Sequence, residues 1–289
     1  MPLIKRLCIV GVGLIGGSLA RILRQRGEVG EVVGVGRGEA NLKKGVELGV
    51  IDRYSHDLAS GVADADMVFL ATPVCTIADL VREMAPHLAP GCIVTDGGSV
   101  KEEIVNACEP LLQSGTHFVG GHPIAGTEHS GVEASFAELY QGRRCIVTPS
   151  ATTDPQALAT VVRMWELAGS EVVLMDPVKH DKVVAAISHL PHMVAYSLVN
   201  AVGGYDRCDE ALIKYSAGGF RDFTRIASSD PVMWRDIALQ NRSALLEMVD
   251  YFSDYLARLR GMISAGDGPA MEEFFARSKE LRDGILEKR

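Results

Sequence analysis

A glycine-rich turn between a strand-like run and a helical pattern constrains the fold of this chain most strongly. Residues 7–10 form a short apolar run, as expected of a strand buried in a parallel sheet. Gly11-Val12-Gly13-Leu14-Ile15-Gly16 follows, and a helical pattern continues to about Arg26. In this context Gly-x-Gly-x-x-Gly makes a tight turn, admits a pyrophosphate to the backbone and packs the helix on the strand. We therefore predict a dinucleotide site that uses Gly11, Gly13, Leu14, Ile15 and Gly16.

Strand-like runs and helical patterns alternate up to residue 175, and the alternation then stops. Further strand-like runs lie at residues 32–35, 66–70, 92–96, 117–119, 145–148 and 171–175. Beyond them helical patterns cover residues 178–201, with an interruption at Pro191, and then 209–215, 231–262 and 269–287. We predict an α/β fold: a doubly wound parallel, Rossmann-type dinucleotide-binding domain at residues 1–176 and an all-α substrate-binding and dimerisation domain at residues 177–289.

Composition and charge narrow the range of partners. The net charge of −8 argues against nucleic acid, so an anionic substrate needs a local basic patch on an acidic protein. The six cysteines are scattered without a zinc-type spacing, which favours free thiols in a reducing compartment. The N-terminus has no signal-peptide layout, and we expect no apolar run long enough to span a bilayer. We therefore expect a cytoplasmic protein without a membrane partner.

The end of the second strand bears on the choice of cofactor. An NAD-preferring site usually carries an acid there that holds the ribose hydroxyls. In this chain Gly36 stands at that place and Arg37 follows it. Because a guanidinium suits a phosphate dianion, we predict NADP or dual use of NAD(P); a solvated Arg37 that stacks on adenine is the alternative. Thr72 and Pro73 follow the strand at 66–70 and are predicted to line the same site.

Residues 120–131 combine two histidines, a carboxylate and four glycines after the strand-like run at 117–119. Pro123 fixes φ directly after His122, and imidazole is the side chain best suited to proton transfer near neutral pH. A glycine-rich turn with a solvated histidine is the alternative interpretation. Upstream, Ser99 and Glu102 match a helix N-cap with a capping box, and Ser99 could also touch a ligand.

The helical half holds two further polar stretches. His189 and His192 lie three apart on one helix face next to Ser188, without the Glu or Cys partners of a metal site. We expect a substrate-facing wall and no metal, with hydrogen-bonded packing histidines as the alternative. The glycines at 218–219 are expected to interrupt the helices. Arg221 and Arg225 could then grip one carboxylate, or else be solvated charges. Trp234 is predicted to pack between helices.

Together these motifs resemble those of the prephenate and arogenate dehydrogenases of tyrosine biosynthesis. The matching stretches run in order over nearly the whole chain, at residues 11–16, 71–73, 96–101, 121–128, 188–192 and 219–225. The turn at 11–16 is shared by many dehydrogenases, whereas the last three stretches are far more specific. The departure is Gly36-Arg37, where NAD-preferring relatives carry an acid, and it bears on the cofactor rather than on the reaction.

The resemblance implies an oxidative decarboxylation of prephenate to 4-hydroxyphenylpyruvate, with hydride transfer to NAD(P), in a homodimer formed through the helical domain. It implies that His122 accepts a hydrogen bond and then the proton from the ring hydroxyl, and that Ser99 orients His122 or the hydroxyl. It also implies that Arg225 holds a substrate carboxylate. The remaining implied substrate-site residues are Ser188, His189 and His192 on the far wall, Glu128 bracing the loop, and Arg221 and Asp222 reaching toward a dimer interface.

Several alternatives stay open at this point. Prephenate ranks first because Arg221 favours anions, but Asp222 could attract the ammonium group of arogenate, as in an arogenate-preferring enzyme that gives tyrosine directly. A β-hydroxyacid or pyrroline-carboxylate type dehydrogenase would use a lysine or hydroxyl as proton donor and would leave His122-Pro123 and Arg225 unexplained. A catalytically silent dinucleotide sensor would bind cofactor without turnover.

Overall fold

An eight-stranded sheet organises the first and larger part of the chain. The computed structural model describes residues 1–127, 129–205 and 212–286. Contacts divide the chain into two compact units, Met1–Arg242 and Ser243–Arg289. The strands are β1 Ile4–Val10, β2 Val29–Val35, β3 Arg53–Ser55, β4 Met67–Leu70, β5 Ile93–Asp96, β6 His117–Pro123, β7 Arg144–Thr148 and β8 Glu171–Leu174. The helices are α1 Leu14–Gln25, α2 Glu39–Glu47, α3 Leu58–Val62, α4 Ile77–Met84, α5 Glu102–Cys108, α6 Pro155–Leu167, α7 Pro177–Val184, α8 Leu190–Tyr205, α9 Gly218–Thr224, α10 Pro231–Gln240, α11 Arg242–Ala265 and α12 Gly268–Leu286.

The strand order is β3-β2-β1-β4-β5-β6-β7-β8, so the order reverses between β1 and β4. This topology confirms the predicted Rossmann-type α/β class. The sheet is mostly parallel, but β7 runs antiparallel to β6. A parallel neighbour needs a crossover to the opposite edge of the sheet, and the described part of the β6–β7 connection has only single helical turns at Val132–Ala134 and Ala137–Tyr140. The short strand β3 was not predicted, because its three residues carry no buried apolar run.

Buried apolar side chains cover both faces of the sheet. Alternation along β1 directs Leu7 and Ile9 to one face and Cys8 and Val10 to the other, and each set joins a separate core cluster. Trp165 of α6 belongs to the first cluster, and Trp234 of α10 belongs to the second. Helix α10 therefore packs with the sheet, although it lies in the half of the chain predicted as a separate helical domain. The predicted domain boundary near residue 176 stays a prediction.

A buried ion pair ties the carboxyl end of β5 to β6. Lys101 and Asp96 are both fully buried, and the Lys101 ammonium contacts the Asp96 carboxylate. Lys101 Nζ also donates to the carbonyl of Gly121 at 2.9 Å, and Asp96 Oδ1 accepts from the Gly121 amide at 3.1 Å. Asp96 Oδ2 accepts from the amide of Gly98 at 2.8 Å. Because each buried charge has partners, the cost of burial is offset, and the residue before His122 is held on both sides of its backbone.

The N-cap predicted at Ser99 is wrong. Helix α5 begins at Glu102 and its N-cap residue is Lys101, with no capping bond from its own side chain. The amides of Lys101 and Glu102 instead donate to Asp181 Oδ1 at 2.8 Å and Oδ2 at 2.9 Å. The carboxylate that caps α5 therefore comes from α7, 80 residues further along the chain, where local sequence patterns cannot indicate it.

The long helix predicted at 178–201 is divided. A π-helical turn at Ala185–His189 separates α7 from α8, directly before Pro191, which cannot donate an amide hydrogen bond. The predicted helix at 231–262 also breaks at Asn241, between α10 and α11. The glycines at 218–219 begin α9 rather than interrupting a helix. The helix predicted at 209–215 lies partly outside the described residues, and its described part is the single turn Leu212–Tyr215.

One described helical segment, Pro177–Tyr205, is long and apolar enough by length and composition to cross a membrane, with a mean hydropathy of 1.2. The expectation that no run reaches this length is therefore wrong for this segment. His180, Asp181 and His189 within it are buried and hydrogen-bonded inside the first unit. Within the window that meets this criterion 22% of the residues are buried, and the segment is divided by the π-helical turn at Ala185–His189.

The second unit consists, in its described part, of α11 and α12. The rings of Tyr255 and Phe274 lie 6.2 Å apart between their centroids, which links the two helices. Several large apolar side chains of this unit are at least half exposed. They are Leu246, Tyr251, Leu256, Ile263, Phe275, Leu281 and Ile285.

Replacing Lys101 with methionine should destabilise the protein by about 3–5 kcal/mol, because the Asp96 carboxylate would stay buried without its partner. Urea unfolding at a fixed protein concentration measures this change. Lys43→Met is the matched control, since Lys43 pairs with Glu39 in the solvent and should leave the free energy of unfolding almost unchanged. Equal effects of the two substitutions would contradict the structural role given to Lys101.

Candidate active site

A cavity of about 680 Å³ opens at the carboxyl ends of β1, β2 and β4, where the strand order reverses. Ligands of open α/β sheets bind at this kind of position. Five of the predicted cofactor residues line the cavity: Gly11, Gly13, Arg37, Thr72 and Pro73. The cavity also includes Asn41 and His56, which the sequence patterns did not indicate.

The three glycines of the turn suit a dinucleotide in three different ways. Gly11 has a φ of +94°, and a Cβ there would lie 2.5 Å from the Ala71 carbonyl oxygen. A Cβ on Gly16 would lie 2.6 Å from the Gly11 carbonyl oxygen, so this glycine lets α1 pack against the turn. Around Gly13, by contrast, the space is open within 4 Å, which leaves room for a ligand against the backbone.

The first turn of α1 supplies the remaining predicted cofactor contacts. Leu14 is buried, and the Ile15 carbonyl accepts from Tyr140 Oη at 2.6 Å. Neither side chain lines the cavity, so their contribution would be the amides at the start of α1, which have no intrahelical acceptors. Gly13, the N-cap residue, makes no side-chain cap, so these amides suit the phosphates of a dinucleotide.

The wall at the end of β2 is built around Gly36. His56 Nδ1 lies 2.8 Å from the Gly36 carbonyl oxygen, which accepts its N–H. Asn41 joins two loops, since its Nδ2 donates to the Val12 carbonyl at 2.6 Å and its Oδ1 accepts from the Val132 amide at 2.9 Å. Arg37 is exposed at the rim. The place of the ribose-binding acid is thus held by a glycine, with a guanidinium beside it.

His122 lies at the carboxyl end of β6 and is half-buried. Its Nδ1 is 2.8 Å from His180 Nε2, and the two rings meet edge to face at 5.1 Å. His180 Nδ1 is in turn 2.7 Å from Asp181 Oδ1. His180 and Asp181 are both almost fully buried. The three side chains form a hydrogen-bonded row, of which only His122 was predicted.

Burial controls the protonation of these imidazoles. It lowers the pKa of His122 well below 6.5, and the positive charge of Lys101 acts in the same direction. Burial also lowers the pKa of His180, although its hydrogen bond to Asp181 opposes the shift. Both rings are therefore neutral at neutral pH. His122 is in the state that can accept a proton.

Two more histidines lie in the helical part of the chain: His189 ends the π-helical turn, and His192 lies in α8. His189 is 1% exposed, and its Nδ1 is 3.0 Å from Asn241 Nδ2, while burial lowers its pKa to about 4. His192 Nδ1 donates to the Ser188 carbonyl at 2.9 Å, and its ring stacks on Trp234 at 3.6 Å. Trp234 is buried and packs between helices, as predicted. Burial lowers the pKa of His192, and the nearby charge of Arg225 lowers it further.

The other predicted site residues that the structure describes are exposed or half-buried. Arg225 is exposed at the end of α9, and Arg221 on the same helix donates from Nε to Ser216 Oγ at 3.5 Å. Asp222 is exposed next to Arg221, and Ser99 is half-buried in the loop between β5 and α5. Glu128 lies outside the described residues. The structure therefore brings His122 and His189 near His180, and it brings His192 near Arg225, with the rings of His189 and His192 both against Trp234.

The His, Cys, Asp and Glu side chains of residues 1–127, 129–205 and 212–286 are the candidate metal ligands in the described structure. No group of three or more within these ranges could hold a metal ion.

Two family models match the chain in succession. The model for the prephenate dehydrogenase nucleotide-binding domain matches residues 19–174, and the model for the prephenate dehydrogenase dimerization domain matches residues 176–277. Among curated proteins, the cyclohexadienyl dehydrogenase of Zymomonas mobilis is 38% identical over 98% of this chain and 96% of its own length. These matches confirm the resemblance inferred from the motifs.

Solved structures give the same result for the fold. Prephenate dehydrogenase from Aquifex aeolicus, in complex with hydroxyphenyl propionate and NAD+, superposes with a TM-score of 0.92 at 39% identity, covering 97% of this chain and 98% of that chain. Synechocystis arogenate dehydrogenase superposes with a TM-score of 0.83 at 34% identity, covering 97% of this chain and 100% of that chain.

Proposed function

The chain belongs to the prephenate dehydrogenase family, and on that premise we propose that it oxidises prephenate in preference to arogenate and uses NADP, alone or alongside NAD. The reaction is the oxidative decarboxylation of prephenate to 4-hydroxyphenylpyruvate in tyrosine biosynthesis. The observation that carries the proposal is a neutral, half-buried imidazole, His122, at the carboxyl edge of the same sheet that holds the dinucleotide cavity. Family membership disfavours the β-hydroxyacid and pyrroline-carboxylate alternatives.

Different residues of the chain are assigned to cofactor binding and to removal of the substrate proton. A nicotinamide cofactor, when bound, supplies the hydride acceptor, and Gly11, Gly13, Thr72 and Pro73 are the residues we assign to its cavity. His122 accepts the hydrogen bond of the ring hydroxyl and takes its proton as the hydride leaves. Departure of the ring carboxylate as carbon dioxide makes the ring aromatic, so the protein's task is chiefly to position groups and place charges.

The substrate is a dianion, and we assign its carboxylates to the basic groups near α8 and α9. Arg225 is exposed and carries no ion-pair partner among the described residues, so it is available to a carboxylate. His192, whose ring is fixed on Trp234, stands close to it. His189 and Ser188 would support this wall, since His189 is buried against Asn241 and the Ser188 carbonyl accepts from His192.

Ser99 is proposed to orient the ring hydroxyl rather than His122. The structure gives His122 Nδ1 another partner, His180, so the second of the two roles expected for Ser99 is favoured. Arg221 and Asp222 remain proposed contacts at a dimer interface. Asp222 would favour the ammonium group of arogenate, but Arg221 and Arg225 lie in the same stretch, and their two positive charges favour the keto acid of prephenate.

A homodimer through the helical part of the chain is also proposed. The match to a dimerization domain over residues 176–277 and the exposed apolar side chains of α11 and α12 support it, because soluble monomers rarely expose so many large apolar residues on adjoining helices. The cysteines of the described residues are free, and burial raises the pKa of Cys8, Cys92 and Cys108 to about 12. Such inert thiols suit a reducing cytoplasm.

Initial rates with prephenate and with arogenate, each with NAD and with NADP, test this proposal directly. The highest kcat/KM is expected for prephenate, with measurable reduction of NADP. A higher kcat/KM for arogenate would reverse the substrate assignment. Cofactor binding without any turnover of either substrate would indicate a dinucleotide sensor instead.

Replacing His122 with asparagine should lower kcat by ~100- to 10,000-fold while cofactor binding is retained, because asparagine keeps a donor near Nδ1 but offers no base. In the unsubstituted enzyme, kcat/KM should decrease only as the pH falls below 6.5, since a lowered pKa keeps His122 neutral down to that range. This acid limb should be absent in the residual activity of His122→Asn. Unchanged turnover would remove His122 from the mechanism.

Replacing Arg225 with alanine should raise the KM for prephenate by about 10- to 100-fold, since a hydrogen bond to a charged group is worth about 1.5–3 kcal/mol. Arg225→Lys should give an intermediate KM, because an ammonium cannot make paired bonds to a carboxylate. Arg82→Ala, which removes an exposed arginine paired with Asp79, is the matched control. A KM unaffected by Arg225→Ala would show that other groups hold the carboxylate.

Replacing Gly36 with aspartate should shift the ratio of kcat/KM for NAD over NADP toward NAD by about tenfold or more, equivalent to about 1.4 kcal/mol. A side chain fits here, because a Cβ would meet Leu42 no closer than 3.6 Å. Gly36→Ala controls for the added carbon without the charge, and Arg37→Ala should move the ratio in the same direction as aspartate. If all three variants keep the original ratio, the assignment of NADP to this wall is wrong.

A further inference from the structure

We propose that His180 and Asp181 are positioning residues that hold His122 in the one tautomer able to take the substrate proton. The row of three side chains gives this inference its basis, and only its kinetic consequence rests on the proposed function. Neither His180 nor Asp181 is placed to be a base itself, since both are almost fully buried behind His122.

The donor and acceptor pattern of the row has one consistent solution. Asp181 Oδ1 and Oδ2 accept from the amides of Lys101 and Glu102, so both oxygens act as acceptors. His180 Nδ1, 2.7 Å from Asp181 Oδ1, must then be a donor. A neutral imidazole has one donor and one acceptor, so His180 Nε2 accepts. His122 Nδ1 therefore carries the hydrogen, and His122 Nε2 keeps the lone pair.

Asp181, at the buried end of the row, is held by hydrogen bonds from two other parts of the chain. Asp181 is held by two amides at the start of α5, and its own carbonyl accepts from Asn241 Nδ2 at 2.9 Å. Asn241 sits at the break between α10 and α11 and is 4% exposed. Asp181 is thus fixed both from α5 and from the break between α10 and α11, so the row cannot turn without breaking buried hydrogen bonds.

The pattern requires that His180 stays neutral, and the charged groups around it are consistent with this. A protonated His180 would donate from Nε2 and push the hydrogen of His122 onto its own Nε2, where the base is needed. Burial and the ammonium of Lys101 act against protonation of His180, while Asp181 and Asp96 act in its favour. Burial is the largest of these influences, so His180 remains neutral at neutral pH.

The same row stabilises His122 after the reaction. The proton leaves the substrate hydroxyl oxygen and forms a bond to His122 Nε2, which makes this ring a cation with a hydrogen on each nitrogen. Its Nδ1 hydrogen already points at His180 Nε2, and the carboxylate of Asp181 stands behind. The new positive charge meets dipoles that are already oriented, so no rearrangement of the row is needed. The proton then passes to water.

The tautomer can be measured on the intact protein without any substrate. Nitrogen-15 NMR of the histidine side chains distinguishes an imidazole protonated at Nδ1 from one protonated at Nε2, and His122→Asn identifies the signals of His122. We expect the Nδ1–H tautomer between pH 6.5 and pH 8. Observation of the Nε2–H tautomer would overturn the inference, whatever the enzyme's substrate proves to be.

Two substitutions of His180 distinguish the loss of its hydrogen bonds from the loss of its imidazole ring. His180→Gln offers an acceptor near Nε2 and a donor toward Asp181, so it should retain most of kcat. His180→Leu removes both bonds and should lower kcat by about 10- to 100-fold with little change in the KM for prephenate, as expected when the partner that orients a histidine is lost. His117→Gln, at the start of β6 and outside the row, controls for the loss of an imidazole elsewhere in the first unit.

The outcomes distinguish this inference from the proposed function. If His122→Asn abolishes turnover but His180→Leu folds and keeps full kcat, the positioning role is wrong while the proposed function stands. If His122→Asn leaves turnover of prephenate intact, His122 is not the base and the inference fails, while the proposed function stands. If neither prephenate nor arogenate is turned over by the unsubstituted enzyme, the proposed function is wrong, and the NMR tautomer alone decides the inference. Should His180→Leu fail to fold, a loss of kcat in His180→Gln as large as that in His122→Asn would overturn the role given to its hydrogen bonds.

Discussion

The ion pair between Lys101 and Asp96 is the interaction on which the geometry of the site depends. It lies fully inside the protein, and both partners also bind the backbone of Gly121, one at its carbonyl and one at its amide. His122 is the next residue, so the position of its imidazole follows from a contact beneath it. A buried pair of this kind contributes little net stability, but it fixes one arrangement, because any other would leave a charge unpaired in the interior.

Exclusion of water gives the imidazoles of the site a common property. Burial lowers the pKa of His122, His180, His189 and His192, so four rings that could carry charge are neutral at neutral pH. The positive charge available to an anionic substrate is then concentrated in guanidinium groups such as that of Arg225. An acidic chain can in this way present a local cationic site, with neutral rings left free for hydrogen bonding and proton transfer.

The sequence predicted the class of fold, seven of the strands and the dinucleotide turn, because these depend on local apolar runs and on glycines at fixed spacing. It also indicated His122 and the stretch around Arg225. It missed His180 and Asp181, because Lys179-His180-Asp181-Lys182 has the composition of a solvated helix start. Ser99 looked like the cap of α5, whereas the cap comes from Asp181. Only tertiary contacts reveal such pairings, since their two halves lie far apart in the chain.

The cap that Asp181 provides for α5 limits how this protein could have been assembled. A fragment ending near residue 176 would contain every strand of the sheet and the whole dinucleotide cavity. It would nevertheless lack the acceptor for two amides at the start of α5, beside the buried Lys101. Exchange of nucleotide-binding modules between dehydrogenases would therefore have to carry α7 along with the sheet. A cut at the join between the two halves of the chain would leave the start of α5 uncapped.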